Sequence, residues 1–411
     1  VCGPARACLQ TGKYASAVGV PTNGVRLPAD ERTLAHCFKD AGYATGYIGK
    51  WHLAENRHAG AVPEDQRGGY DHWLASNLLE FTSNAYDTRL YDNNDDEVHL
   101  PGYRVDAVAD ACIDYIRDHR DEPFFLFSSY IEPHFQNHVD SYPAPEGYEQ
   151  RYLSRWTPPD LMALGGSTHQ HLAGYWGMVK RLDEALGRVR DALRSLDLLE
   201  DTIILFTSDH GCHFKTRNSE YKRSCHESSI RLPTALTGPG FDGGGDIDQM
   251  TSLVDLPPTL LDACDITVPE SMQGRSVLPL VRGQADDWPE EAFIQISESQ
   301  VGRALRTARW KYSVRASDPD SWIDGQTGAS QYAEEFLYDL QADPYELNNL
   351  VAYDAYDPVK AELRRRLQRW MTAVGEAPAE IVPAATHASG QRTLWPDEAE
   401  TLDRCYRRPA P

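Results

Sequence analysis

The sequence predicts an α/β fold: a large, mainly parallel sheet flanked by helices, with a smaller α+β subdomain at the C-terminal end. Three observations predict it. Strand-like and helix-like segments alternate along the chain. Three strand-like runs lead directly into polar loops, where an open α/β sheet presents its ligand-binding residues. The composition then shifts at residues 282–291 (RGQADDWPEE), and shorter strand-like runs follow.

In order, residues 31–40 read as a helix, with Asp30 as N-cap and Gly42 as its stop. Residues 43–48 read as a strand ending in Gly49-Lys50-Trp51-His52. Residues 105–119 are helical, and 123–130 form a strand running into Ile131-Glu132-Pro133-His134. Met178, Leu182, Leu186, Val189, Leu193 and Leu196 recur at steps of three and four, the apolar stripe of a long helix. A strand at 202–207 follows and ends in Ser208-Asp209-His210-Gly211. Beyond the composition shift come strands at 292–296, 310–314 and 336–340 and a helix at 359–374. The chain thus divides into a large α/β domain, 1–285, and a C-terminal subdomain with a Pro- and Ala-rich tail, 286–411.

The 62 Asp and Glu outnumber 40 Lys and Arg, giving a net charge of −22 across 411 residues. That balance argues against nucleic acid and anionic membranes as partners. With 21 Tyr, 11 Phe and 9 Trp the chain is too aromatic for a disordered one. Its longest apolar runs, such as Phe124-Phe125-Leu126-Phe127, are strand-sized, well below the roughly 18 residues that span a bilayer. Eight Cys are too sparse for a disulfide scaffold and show no paired C-x2-C spacing of the structural-zinc kind. Val1-Cys2-Gly3-Pro4 resembles neither a signal peptide nor a natural start, so a preceding segment is expected to be missing.

The richest stretch is Cys2-Gly3-Pro4-Ala5-Arg6-Ala7-Cys8-Leu9-Gln10-Thr11-Gly12. Pro4 is placed to open a helix. Cys2 then stands at its positive end, where backbone N–H groups favour an anion, with Arg6 one turn on. Taken alone, this is only a cysteine near a helix start.

Cys2-x-Pro4-Ala5-Arg6 followed by Leu9-x-Thr11-Gly12 resembles the signature of type I, formylglycine-dependent sulfatases of the alkaline-phosphatase-like superfamily. The resemblance continues in order through Gly49-Lys50-Trp51-His52-Leu53, Glu132-Pro133-His134, Thr207-Ser208-Asp209-His210-Gly211, 222–233, 254–260, Gln273-Gly274-Arg275-Ser276 and 337–350. It implies a sulfuric ester hydrolase whose Cys2 is oxidised by a formylglycine-generating enzyme to an aldehyde, the hydrate of which attacks sulfur. One divalent cation, calcium, would be bound by Cys2, Asp209 and His210, although an imidazole is softer than calcium prefers. Arg6, Lys50 and Lys222 would stabilise charge on the sulfuryl oxygens. His134 would protonate the leaving alkoxide, and His52 would take a proton from the sulfated hydrate; the two assignments are exchangeable. The two adjacent Asp residues that the family carries upstream of its Cys motif have no counterpart here. Asp95-Asp96 and Asp286-Asp287 read as solvated loops, so the 411-residue chain is expected to bind metal poorly.

His213 and Arg217, with Lys215, are candidates to grip sugar hydroxyls or a second anionic group, against a plain solvated basic loop. Arg303, with Arg306, is a candidate wall of the pocket, against surface pairing with carboxylates. Cys212-His213 and Cys225-His226 leave three readings open: a zinc site, a Cys212–Cys225 disulfide, or two unpaired cysteines. The expected substrate is a sulfated carbohydrate, short or attacked at a terminal sulfate, since the net charge repels long polyanions. Rival readings are a phosphodiester or phosphonate monoester hydrolase of the same superfamily and a non-catalytic glycan-binding homologue. Placement is expected to be periplasmic or secreted, with no membrane span.

Overall fold

The 43–48 run forms strand β1 (Ala44–Lys50), buried along both faces from Thr45 onward, as a central parallel strand must be. The computed structural model describes residues 1–55, 58–284, 287–321, 323 and 325–384. Strands β2 (His72–Ser76), β3 (Thr88–Tyr91), β4 (Glu97–Leu100) and β5 (Phe124–Ser129) complete a five-stranded sheet in the order β4-β3-β2-β1-β5. β2 and β5 flank β1 in parallel, whereas β3 and β4 are antiparallel. The sheet is therefore mixed.

Strand β6 (Ile204–Phe206) does not join that sheet; it pairs antiparallel with β7 (Ala235–Thr237). A cavity of about 1170 Å³ separates β6 from β5 and reaches Lys50, His134, Asp209 and His210 at its polar end. Its apolar walls include Phe125, Phe127 and Leu205 with Leu182, Leu186 and Leu193 of the long helix Thr168–Ser195, whose stripe is the one visible in the sequence.

The expected 31–40 helix starts later, at Leu34–Asp40, because Thr33 and not Asp30 caps it. The Thr33 side chain accepts from the His36 N–H, and the His36 ring accepts from the Thr33 N–H.

The C-terminal sheet has the order β12-β11-β10-β9-β8, from β8 (Glu291–Ile296), β9 (Gly302–Thr307), β10 (Trp310–Ala316), β11 (Gln331–Asp339) and β12 (Glu380–Val382). The helix Asp357–Ala373 lays Leu363, Leu367 and Met371 on it. Tyr14 and Val254 of the preceding part join the same apolar cluster, so the two parts share a core. The expected boundary at 285/286 and the tail beyond 384 lie outside the described residues.

Gly49 makes the site possible. Its φ is +114°, and a Cβ there would lie 2.0 Å from the Ser129 carbonyl oxygen. Only glycine lets the ends of β1 and β5 approach this closely.

Candidate active site

Cys2 opens the helix Cys2–Thr11, with Pro4 in its first turn and Gly12 in the left-handed conformation at its end. The Gly3 N–H donates to Asn23 Oδ1 at 2.7 Å, which holds the helix start. Cys2 is buried.

Two strand ends converge on its sulfur, the end of β1 with Lys50 and the segment after β6 with His210 and Lys222. Lys222 Nζ stands 2.8 Å from Cys2 Sγ, His210 Nε2 3.2 Å and Lys50 Nζ 3.9 Å. Burial opposes ionisation of the thiol, yet Lys222, Lys50 and His210 together hold it well below its ordinary range. The pocket thus favours negative charge at this atom.

Arg6 ties the same strand ends together. Its Nη1 donates to the Lys50 carbonyl at 2.8 Å and to Ser129 Oγ at 2.7 Å, and its Nε to Asp209 Oδ2 at 3.1 Å. Despite burial, His210 and Arg6 keep Asp209 ionised well below the usual carboxylate range.

His134 Nδ1 lies 2.7 Å from the Phe135 carbonyl oxygen, so the ring proton sits there. Its Nε2 accepts from the Tyr221 hydroxyl at 2.8 Å and faces Lys222 Nζ at 3.3 Å. Burial, then Lys222 and Lys50, push this imidazole down to about 4. The resting ring is neutral. His52 has φ +61°, and its Nδ1 is buried without a partner among the described residues. Burial and Lys50 lower its proton affinity as well.

Cys2, Asp209 and His210 offer ligand atoms within 4.8 Å of one another. Calcium takes roughly six to eight oxygens. One carboxylate and one imidazole beside Cys2 do not by themselves fit that ion, and Arg6 and Lys222 crowd them with positive charge.

The expected substrate-gripping residues are placed differently. His213 is fully buried, and its Nε2 donates to the Lys222 carbonyl at 2.8 Å. Arg217 donates to the carbonyls of Glu346 and Tyr345 at 2.9 Å each, which fastens the Lys222 loop to the C-terminal subdomain. Arg303 is buried against Glu376 at 2.7 Å, with Nη2 on the Thr327 carbonyl. Arg306 pairs with Glu227 at 3.4 Å. These four cohere as internal fastenings, and none of them lines the cavity between β5 and β6. Lys215 lies over the Phe135 ring at 5.7 Å. Cys212 and Cys225 are free: Cys212 meets the Tyr142 hydroxyl, and Cys225 packs with Ile296 and Ala304. Neither forms a metal-ligand cluster among the described residues.

Two residues of the site, Tyr221 and Glu80, belong to no sequence motif. Tyr221 adjoins Lys222 and was findable by position. Glu80, whose Oε1 lies 2.9 Å from Lys50 Nζ, sits in an ordinary apolar run.

Comparison with known proteins agrees with this geometry. Residues 1–266 match the sulfatase family, and residues 219–373 match the C-terminal region of N-sulphoglucosamine sulphohydrolase. The chain belongs to the sulfatase family, within the alkaline-phosphatase-like superfamily, and is a sulfuric ester hydrolase by class. The family generally uses calcium and a formylglycine. An ulvan-active sulfatase of Formosa agariphila is 28% identical over 398 residues, covering 92% of this chain and 73% of that protein. An N-acetylglucosamine-6-O-sulfatase of Bacteroides thetaiotaomicron is 24% identical over 453 residues, covering 89% and 77%. A solved Bacteroides thetaiotaomicron structure described with glycosaminoglycan metabolism superposes with a TM-score of 0.78 at 22% identity, covering 92% of this chain and 85% of that one, and shows the shared fold.

Proposed function

We propose that this sulfatase hydrolyses sulfate esters of a carbohydrate and that Cys2 is the precursor of its formylglycine. The observation that carries the reading is the convergence of Lys222, His210 and Lys50 within 3.9 Å of a buried Cys2 sulfur. When present, the formylglycine hydrate supplies the attacking hydroxyl at that position. The chain's own residues supply the rest. Lys222 and Lys50 face the sulfuryl oxygens and offset the charge that builds on them. Arg6 fixes Asp209, Ser129 and the Lys50 backbone, so the cations keep their geometry without reorganisation.

His134 exposes Nε2 to the leaving-group side and rests neutral. An arriving sulfate monoanion opposes the effect of Lys222 and Lys50 on the ring and favours its protonated form, ready to donate to the departing oxygen. His52, also disposed to be neutral, would accept the proton given up as sulfate is expelled.

The carbohydrate assignment draws on the ulvan and N-acetylglucosamine activities of the named relatives. The net charge of −22 favours a short oligosaccharide or terminal sulfate over a long polyanion. Maturation by a formylglycine-generating enzyme, and a periplasmic or secreted placement, follow from the same reading; no described helix is long and apolar enough to cross a membrane. The test pairs sulfate and phosphate esters on one leaving group, then measures sulfate release from sulfated oligosaccharides. Faster turnover of the sulfate ester and release from the sugar support the reading. A preference for the phosphate ester contradicts it.

A further inference from the structure

We propose that Glu80 is a positioning residue of the sulfatase reaction, its buried carboxylate holding the Lys50 ammonium against Cys2. The inference rests on the reaction proposed above.

Glu80 lies in the short helix Leu79–Thr82 and is 4% exposed. Its Oε1 accepts from Lys50 Nζ at 2.9 Å, and the same ammonium faces Cys2 Sγ at 3.9 Å from the other side. Lys50 therefore bridges the carboxylate and the sulfur in a space closed to solvent. Glu80 Oε2 is buried without a hydrogen-bond partner among the described residues, so the carboxylate is committed to Lys50 through one oxygen. Its backbone is fixed in turn: the Glu80 carbonyl accepts from Gln136 Nε2 at 2.8 Å, and Gln136 belongs to the loop that carries His134.

Charge explains the need. Arg6, Lys50 and Lys222 surround Cys2, and Asp209 is paired with Arg6. Without Glu80, Lys50 is a buried ammonium beside other cations with no carboxylate to hold it, and it swings away from the sulfur. The sulfuryl oxygens then lose a fixed donor.

The test uses the formylglycine-bearing enzyme and an aryl sulfate, comparing Glu80→Gln, Lys50→Met and the double variant with the parent. Glu80→Gln is expected to lower kcat roughly 10- to 100-fold with KM within about threefold, because a misplaced group costs chiefly the chemical step. The double variant is expected to match Lys50→Met within about twofold, since Glu80 acts only through Lys50. Multiplying losses in the double variant, or parental kcat in Glu80→Gln, overturns the inference. If Lys50→Met itself turns over like the parent, the proposed reaction fails first, and this inference falls with it. If Glu80→Gln unfolds, the double variant, which buries neither charge, still decides: turnover below that of Lys50→Met overturns the proposal, and equal turnover supports it.

Discussion

Lys222 and Cys2 stand 220 residues apart in sequence and 2.8 Å apart in space, Nζ to Sγ, with no solvent between them. In the proposed reaction a cation so placed offsets the charge that builds on the sulfuryl oxygens. Lys222→Ala is expected to lower kcat/KM about 100- to 1000-fold, as for loss of one fixed donor to a developing oxyanion. Steady-state kinetics on an aryl sulfate, with a melting curve to show the fold intact, checks this. Retention of near-parental kcat/KM would remove Lys222 from the reaction.

Leaving groups separate His134 from the cations. A sugar alkoxide needs a proton, whereas a nitrophenolate leaves without one. His134→Ala is expected to cost about 100- to 10,000-fold on a sugar sulfate and far less on a nitrophenyl sulfate. Tyr221→Phe, which removes the hydroxyl 2.8 Å from His134 Nε2, should show the same ordering with smaller losses. Equal losses on both substrates would assign His134 another task.

His213 makes stability depend on pH. Burial, and then Arg217, push its imidazole down to about 4 from the ordinary 6.5, although its bond to the Lys222 carbonyl pulls the other way. Between those values the unfolded chain binds the proton and the folded chain does not. Stability is therefore fully present above about pH 6.5 and falls as the pH drops toward 4, by about 2 kcal/mol at pH 5 from this residue. Denaturant melts at pH 7 and pH 5 should show a smaller drop for His213→Gln, which keeps a donor but does not titrate. Equal drops would place the neutral ring elsewhere.

Lys311 anchors the loop from the opposite side. Its fully buried Nζ lies 2.5 Å from Glu346 Oε1 and 2.7 Å from Glu227 Oε1. Lys311→Met leaves buried Glu346 without its cation and Glu227 with Arg306 alone, and should destabilise the protein by about 3–5 kcal/mol in denaturant melts. A loss below about 1 kcal/mol would mark the cluster as solvated rather than buried.

Residues at strand ends were legible in the sequence because a strand-to-loop transition is a local pattern. Lys50, His134, Asp209 and His210 are examples, and the structure brings all four to one cavity. The long-helix stripe was legible for the same reason. The partners of a buried side chain are not local. His213 and Arg217 sit in a basic loop that resembles a solvated grip, and only the fold shows Arg217 reaching Tyr345 and Glu346 about 130 residues on. Arg303 has two readings in the sequence, pocket wall or carboxylate pairing, and its Glu376 partner, 73 residues on, shows only in the fold. Glu80 has no motif, and its pairing with Lys50 depends on how two short elements meet. The β6 run declares itself a strand by composition, but composition does not say that β7, and not β5, is its neighbour.

The most direct test measures sulfate release against the fraction of Cys2 converted to aldehyde, determined by mass spectrometry of the peptide that contains it, in preparations matured to different extents. The account predicts a straight line through the origin. Undiminished turnover in protein whose Cys2 is wholly thiol would contradict it.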